Sequence, residues 1–119
     1  MVSSMATLFT KTGAAYPILS PFIGVVGTLI TGSTTVSNIM FSSVQYNAAE
    51  NISLSKEIIL AMQLNGSSLG NAICLFNIIA AAAVAGVSKY VSILHKTILP
   101  ILIATLVTSL LGMMLLTIF

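Results

Sequence analysis

The chain has 119 residues, 57% of them apolar and 5% charged, with a mean hydropathy of +1.12. A soluble domain carries about 25% charged residues, so this composition excludes a soluble enzyme and, for want of charge, a disordered tail. The net charge of +2, from four Lys and two Glu, is too small to neutralise a run of phosphates; nucleic acid is excluded as a partner and a membrane domain remains.

The ionisable side chains gather at Lys11, at Glu50, Lys56 and Glu57, and at Lys89, His95 and Lys96. A charge at a bilayer centre costs about 2.5 to 3.5 kcal/mol on insertion scales, so these clusters mark water-facing connections between apolar blocks. Residues 1–15 read as the end of a helix whose beginning is missing, because Lys11 follows the apolar part instead of preceding it as in a cleaved leader.

From Ala14 the chain is apolar, but Pro17, Pro21, Gly24 and Gly27 interrupt it, and the polar run TGSTTVSN (Thr31 to Asn38) follows before apolar residues resume. Non-helical backbone at membrane depth is tolerated only where protein or a wet cavity surrounds it. The expectation is a re-entrant helical hairpin over 16–49, with arms near Tyr16 to Ile30 and Val36 to Ala49. A solvated loop between two full spans is the alternative.

The middle block repeats the theme. Glu57 to Leu64 has a helical pattern, Asn65 to Asn71 reads NGSSLGN, and the chain is apolar again from Ala72. Neither half is long enough to span, so one discontinuous transmembrane helix is expected over 57–91, broken near Asn65 to Asn71 or on as far as Asn77. Such breaks expose N–H groups that attract an anion, and interrupted segments point to midplane sites in secondary transporters. The same glycines, Gly66 and Gly70, also have the GxxxG spacing that packs helices without any ligand. Residues 97–119 carry no charge and reach the roughly 20 residues a spanning helix needs, with Pro100 expected in its first turn.

Cys74 is the only cysteine, which excludes an intrachain disulfide and a thiolate cluster, and it reads as a small apolar packer. His95, beside Lys96, reads as an interfacial loop residue. No nucleophile triad, carboxylate pair, P-loop or dinucleotide fingerprint is present, so enzymatic chemistry and ATP-driven transport are not indicated.

The ensemble of AAYPILSPFIGVVGTLITGSTTVSN (Ala14 to Asn38), the F..VQ...A pattern of Phe41 to Ala48, GSSLGN...N.IAA (Gly66 to Ala81) and KTILP (Lys96 to Pro100) resembles the C-terminal portion of the L-lactate permease family. The resemblance implies an all-α membrane protein that carries lactate or glycolate across the cell membrane, multi-pass, by proton- or cation-coupled symport. It implies no cofactor beyond a coupling H+ or Na+. It places Gly32, Ser33, Thr35, Ser37 and Asn38 at the hairpin tip and Gly66, Gly70 and Asn77 at the broken-helix loop. Thr34 stands where many family members carry an Asp, which removes the acidic group suited to proton coupling. Asn71 replaces a Lys of many relatives, and Leu75-Phe76 replaces a Pro-Gln pair.

The substrate-binding set expected from this reading is Ser33, Thr35, Ser37, Asn38, Asn71 and Asn77, with Gly32, Gly66 and Gly70 as backbone or hinge positions. Hydroxyls and amides can bind a small carboxylate without burying a fixed positive charge. The expected partners are that substrate, the lipid bilayer, and a missing N-terminal half or further copies of the chain, without which it does not transport. The basic loop of Lys89 and Lys96 is expected on the cytoplasmic side. The rival readings are a small structural or regulatory membrane subunit that docks on a larger protein through its Gly and Ala faces, and a pore-forming peptide.

Overall fold

The computed structural model describes residues 13–119. Within them the protein is all helix: a 3-10 turn at Gly13–Ala15, then α1 (Tyr16–Thr31), α2 (Thr34–Asn51), α3 (Lys56–Ile73), α4 (Leu75–Val84) and α5 (Tyr90–Ile118). The expected helix end over residues 1–15 lies, as far as Thr12, outside the described residues.

α1 and α2 form a helical hairpin. Pro17 sits in the first turn of α1, where its missing N–H has no helical partner to lose. α1 ends at Gly32, whose φ of 71° is left-handed and whose N–H donates to the Thr28 carbonyl at 2.8 Å. Ser33 is extended, and its Oγ accepts the Val36 N–H at 3.4 Å, capping α2. The turn is therefore shorter than the polar run that announced it, since Thr34 to Asn38 are already helical. A capped helix start gives those residues backbone partners that a loop would have to find elsewhere.

α3 runs without interruption through Asn65 to Asn71, which corrects the centre of the expected break and leaves only its extension toward Asn77. The reason is packing. Gly66 lies on Pro21 of α1; a methyl on Gly70 would stand 2.7 Å from the Val25 carbonyl oxygen, and one on Gly24 would stand 2.7 Å from the Ser67 nitrogen. Main chain meets main chain along this seam, so Gly66 and Gly70 are contact positions and not hinges. Ser20 Oγ of α1 donates across it to the Ile59 carbonyl at 3.0 Å.

The break falls at Cys74, whose backbone is extended (φ −65°, ψ 125°), and α3 and α4 are bent there by 45°. The Cys74 carbonyl accepts the Ile78 N–H at 3.0 Å and so starts α4. Gly86, at φ 68°, leads from α4 into the connection before α5.

α5 begins at Tyr90 and not at Thr97, because no breaker separates the two; His95 and Lys96 are thus exposed helical residues instead of loop residues, and Pro100 lies inside the helix. α5 is long and apolar enough to cross a membrane, and α3 with α4 meets the same standard as one bent span. Its buried face is Thr105, Ser109 and Gly112, with Ser109 Oγ 3.1 Å from the Ile18 carbonyl and Gly112 against Met62. Its other faces expose Leu99, Ile103, Leu106 and Leu110, an apolar surface poorly suited to water.

The apolar core of Tyr16, Ala48, Ala49, Ile59 and Met62 occupies the end of the hairpin opposite its turn. The turn end is left to polar side chains and to the break.

Candidate functional site

The two interruptions of the fold meet. A methyl group on Gly32, in the hairpin turn, would stand 3.2 Å from the Phe76 ring and 3.8 Å from Cys74 Sγ, so the turn rests on the α3–α4 break. Two helices begin beside this contact, α2 at Thr34 and α4 at Leu75. The first N–H groups of each lack helical acceptors and carry the positive end of the helix dipole.

Behind the turn runs a chain of buried polar side chains. Tyr16 Oη donates to Gln45 Oε1 at 2.5 Å, and Gln45 Nε2 donates to the Ser20 carbonyl at 3.1 Å and to Gln63 Oε1 at 2.7 Å. Gln63 Nε2 lies 3.4 Å from Ser67 Oγ and 3.5 Å from Asn38 Oδ1. Ser67 Oγ is 2.8 Å from both Asn38 Oδ1 and the Gln63 carbonyl, and its single proton serves one at a time. Gln45, Gln63 and Ser67 are almost wholly shielded from solvent, and Asn38 is half-buried.

The residues expected from the sequence divide among distinct surroundings. Asn38 joins α3 through Ser67 and Gln63. Ser33 caps α2 with its oxygen and keeps its hydroxyl proton, while Thr35 is exposed. Ser37 is fully buried, and its hydroxyl donates to the Gly24 carbonyl at 3.3 Å. Asn71 and Asn77 face each other across the break, where Asn77 Nδ2 donates to Asn71 Oδ1 at 2.7 Å and to the Asn71 carbonyl at 3.2 Å. That second bond satisfies a carbonyl whose helical partner the break has displaced. Among the described residues no hydrogen bond joins the Asn38 group to the Asn71–Asn77 pair.

Asn71 and Asn77 also line a groove of about 410 Å³ with Ala81, Ala85 and Ile93, between the break and the start of α5. A second groove, of about 370 Å³, lies between α3 and α5 beside Glu57, Asn65 and Thr108. Neither includes Asn38.

Gln45, Gln63, Ser67, Ser20 and Tyr16 were missed as a polar group. A signal for two of them is present: Gln45 and Gln63 are the only glutamines of the chain, each next to apolar residues (Val44, and Met62 with Leu64). Burying a carboxamide without partners costs at least about 1 to 3 kcal/mol, so an isolated Gln in an apolar helix calls for another.

Among the described residues no group of three or more His, Cys, Asp or Glu could hold a metal ion. What the turn and break can offer a ligand is hydroxyl, carboxamide and main-chain N–H donors.

The whole chain, residues 1–119, matches the family model described as L-lactate permease. A Haemophilus influenzae protein is 36% identical over 121 residues, all of this chain and 23% of its own length. The L-lactate permease of Salmonella typhi is 38% identical over 104 residues, 87% of this chain and 19% of that protein. The glycolate permease of Escherichia coli K12 is 35% identical over 86 residues, 72% of this chain and 15% of that protein. The chain therefore spans less than a quarter of the length of these relatives. No solved structure gives a significant match. With its match running from the first residue to the last, the chain belongs to the L-lactate permease family.

Proposed function

We propose that this chain supplies one substrate-binding part of a secondary active permease for L-lactate or a related 2-hydroxy monocarboxylate such as glycolate. The observation that carries the reading is the seating of the hairpin turn on the helix break, which brings the N-termini of α2 and α4 to one place. A carboxylate there accepts hydrogen bonds from main-chain N–H groups, from the free Ser33 hydroxyl proton, from Thr35 and from Asn38 Nδ2. Asn71 and Asn77, across the break, serve the 2-hydroxyl group. Ser37, committed to Gly24, holds the two arms of the hairpin together.

In this reading α1 to α4 lie within the plasma membrane as a re-entrant hairpin and a broken span, and α5 crosses it. Because Gly24, Gly66 and Gly70 lock α1 to α3 by main-chain contact, hairpin and broken helix move as one body. They move against a scaffold supplied by the further length that the relatives possess, with H+ or Na+ as the coupling ion.

The test is uptake of radiolabelled L-lactate by cells without their own lactate transport, expressing the chain together with the remaining length of the Salmonella typhi relative. Saturable uptake that Asn38→Ala abolishes is expected. Uptake indifferent to Ser33→Ala, Thr35→Val and Asn38→Ala would favour a docking subunit instead.

A further inference from the structure

The polar chain behind the turn has a direction, and its main-chain contact fixes that direction. The Ser20 carbonyl can only accept, so the Gln45 atom beside it is Nε2 and the Gln45 oxygen faces the Tyr16 hydroxyl. The same Gln45 Nε2 lies 2.7 Å from Gln63, which must answer with its oxygen. Gln63 is then left with its NH2 toward Ser67 and Asn38, and Asn38 must answer with Oδ1. Ser67 Oγ, 2.8 Å from the same Oδ1, agrees with that assignment. Both contacts use the oxygen; the Asn38 Nδ2 has no partner among the described residues.

We propose that Gln63 and Gln45 are positioning residues that act through Asn38, fixing its carboxamide with oxygen inward and NH2 free, so that the site offers a donor to a carboxylate. A reversed Asn38 would present an acceptor and repel an anion. The chain thus sets the site's preference for anions without any charged side chain, and each donated bond polarises the next toward a stronger donor at the end. The inference rests on Asn38 being a ligand to the substrate, as proposed above.

The experiment is a double-mutant cycle on L-lactate binding to the full chain in lipid nanodiscs, using Asn38→Ala, Gln63→Met and the pair. Asn38→Ala is expected to weaken binding about tenfold, the worth of one hydrogen bond to a charged group, and Gln63→Met about threefold. If Gln63 acts only through Asn38, the double variant binds like Asn38→Ala alone. Gln45→Met, which removes a side chain two links from Asn38, is expected to weaken binding in the same way. Unchanged binding in Gln63→Met, or losses that add in the double variant, overturns the positioning role while leaving Asn38 as a ligand. No binding by the unsubstituted chain, or no effect of Asn38→Ala, removes the ligand site and this inference with it. Should the Gln variants fail to fold, the unsubstituted chain still decides: the Asn38 side-chain NH2 resonance is expected to exchange fast with water and to shift on adding lactate. A slowly exchanging, unresponsive NH2 means that the carboxamide is turned the other way and overturns the proposal.

Discussion

Gly66 of α3 packs directly on the main chain of Pro21 in α1, and a methyl group there would collide with the Pro21 carbonyl. Backbone cannot swing aside as a side chain can, so the seam must open. Gly112 of α5 faces the flexible end of Met62 instead. Gly66→Ala is therefore expected to cost about 3 kcal/mol, the upper part of the overpacking range, and Gly112→Ala about 1 kcal/mol. Reversible unfolding in mixed detergent micelles measures both. Equal losses would mean that α1 and α3 do not touch through their main chains.

Thr28 is fully buried, and among the described residues its Oγ1 is the one buried side-chain polar atom without a partner. Thr28→Val keeps the shape and removes the unpaired hydroxyl, so a gain in stability of about 1 kcal/mol is expected in the same unfolding measurement. A loss of that size would show that the hydroxyl has found a partner.

Asn77 Nδ2 reaches back across the break to the Asn71 carbonyl at 3.2 Å. The pair is exposed, so Asn77→Ala is expected to cost less than about 1 kcal/mol overall. Its effect is local. Amide hydrogen exchange should rise at residues 74–78 and stay unchanged in α1 and α2, and a change spread over every helix would contradict this.

Cys74 is wholly buried beneath the hairpin turn, beside Gly32. It is expected to resist impermeant thiol reagents in the unsubstituted chain. Gly32→Ala imposes a left-handed conformation on a residue with a Cβ, which costs about 1 kcal/mol or more, and crowds Phe76 as well. Labelling of Cys74 should then quicken about fivefold, that energy expressed as a population of opened turns. An unchanged rate would separate the turn from the break.

The hairpin was legible because the polar run Thr31 to Asn38 between two apolar stretches is a local signal, although Pro17, read as an interruption, opens α1, and Ser33, read as a substrate ligand, caps α2. Helix start and helix cap are written within a few residues of where they act. NGSSLGN was misread for the opposite reason. A Gly in a polar run breaks a helix in water but admits a neighbouring helix when Pro21 and Val25 lie opposite, and the sequence does not say which helix will lie there. Cys74 carries no breaker signal, so the expected break was centred on the glycines and reached Cys74 only in its extension toward Asn77. The pairing of Gln45 with Gln63 is tertiary, set by how α2 and α3 stand side by side, and only the rarity of glutamine in this chain hinted at it.

The central claim is that a carboxylate lies against the Asn38 side chain at the seat of the turn on the break. Solid-state NMR of the chain in lipid, with carboxyl-labelled L-lactate and nitrogen-labelled asparagine side chains, measures that contact as dipolar dephasing. The account predicts dephasing of one partly buried carboxamide that vanishes in Asn38→Ala. Saturating lactate that dephases no asparagine, or a signal that survives Asn38→Ala undiminished, would contradict it.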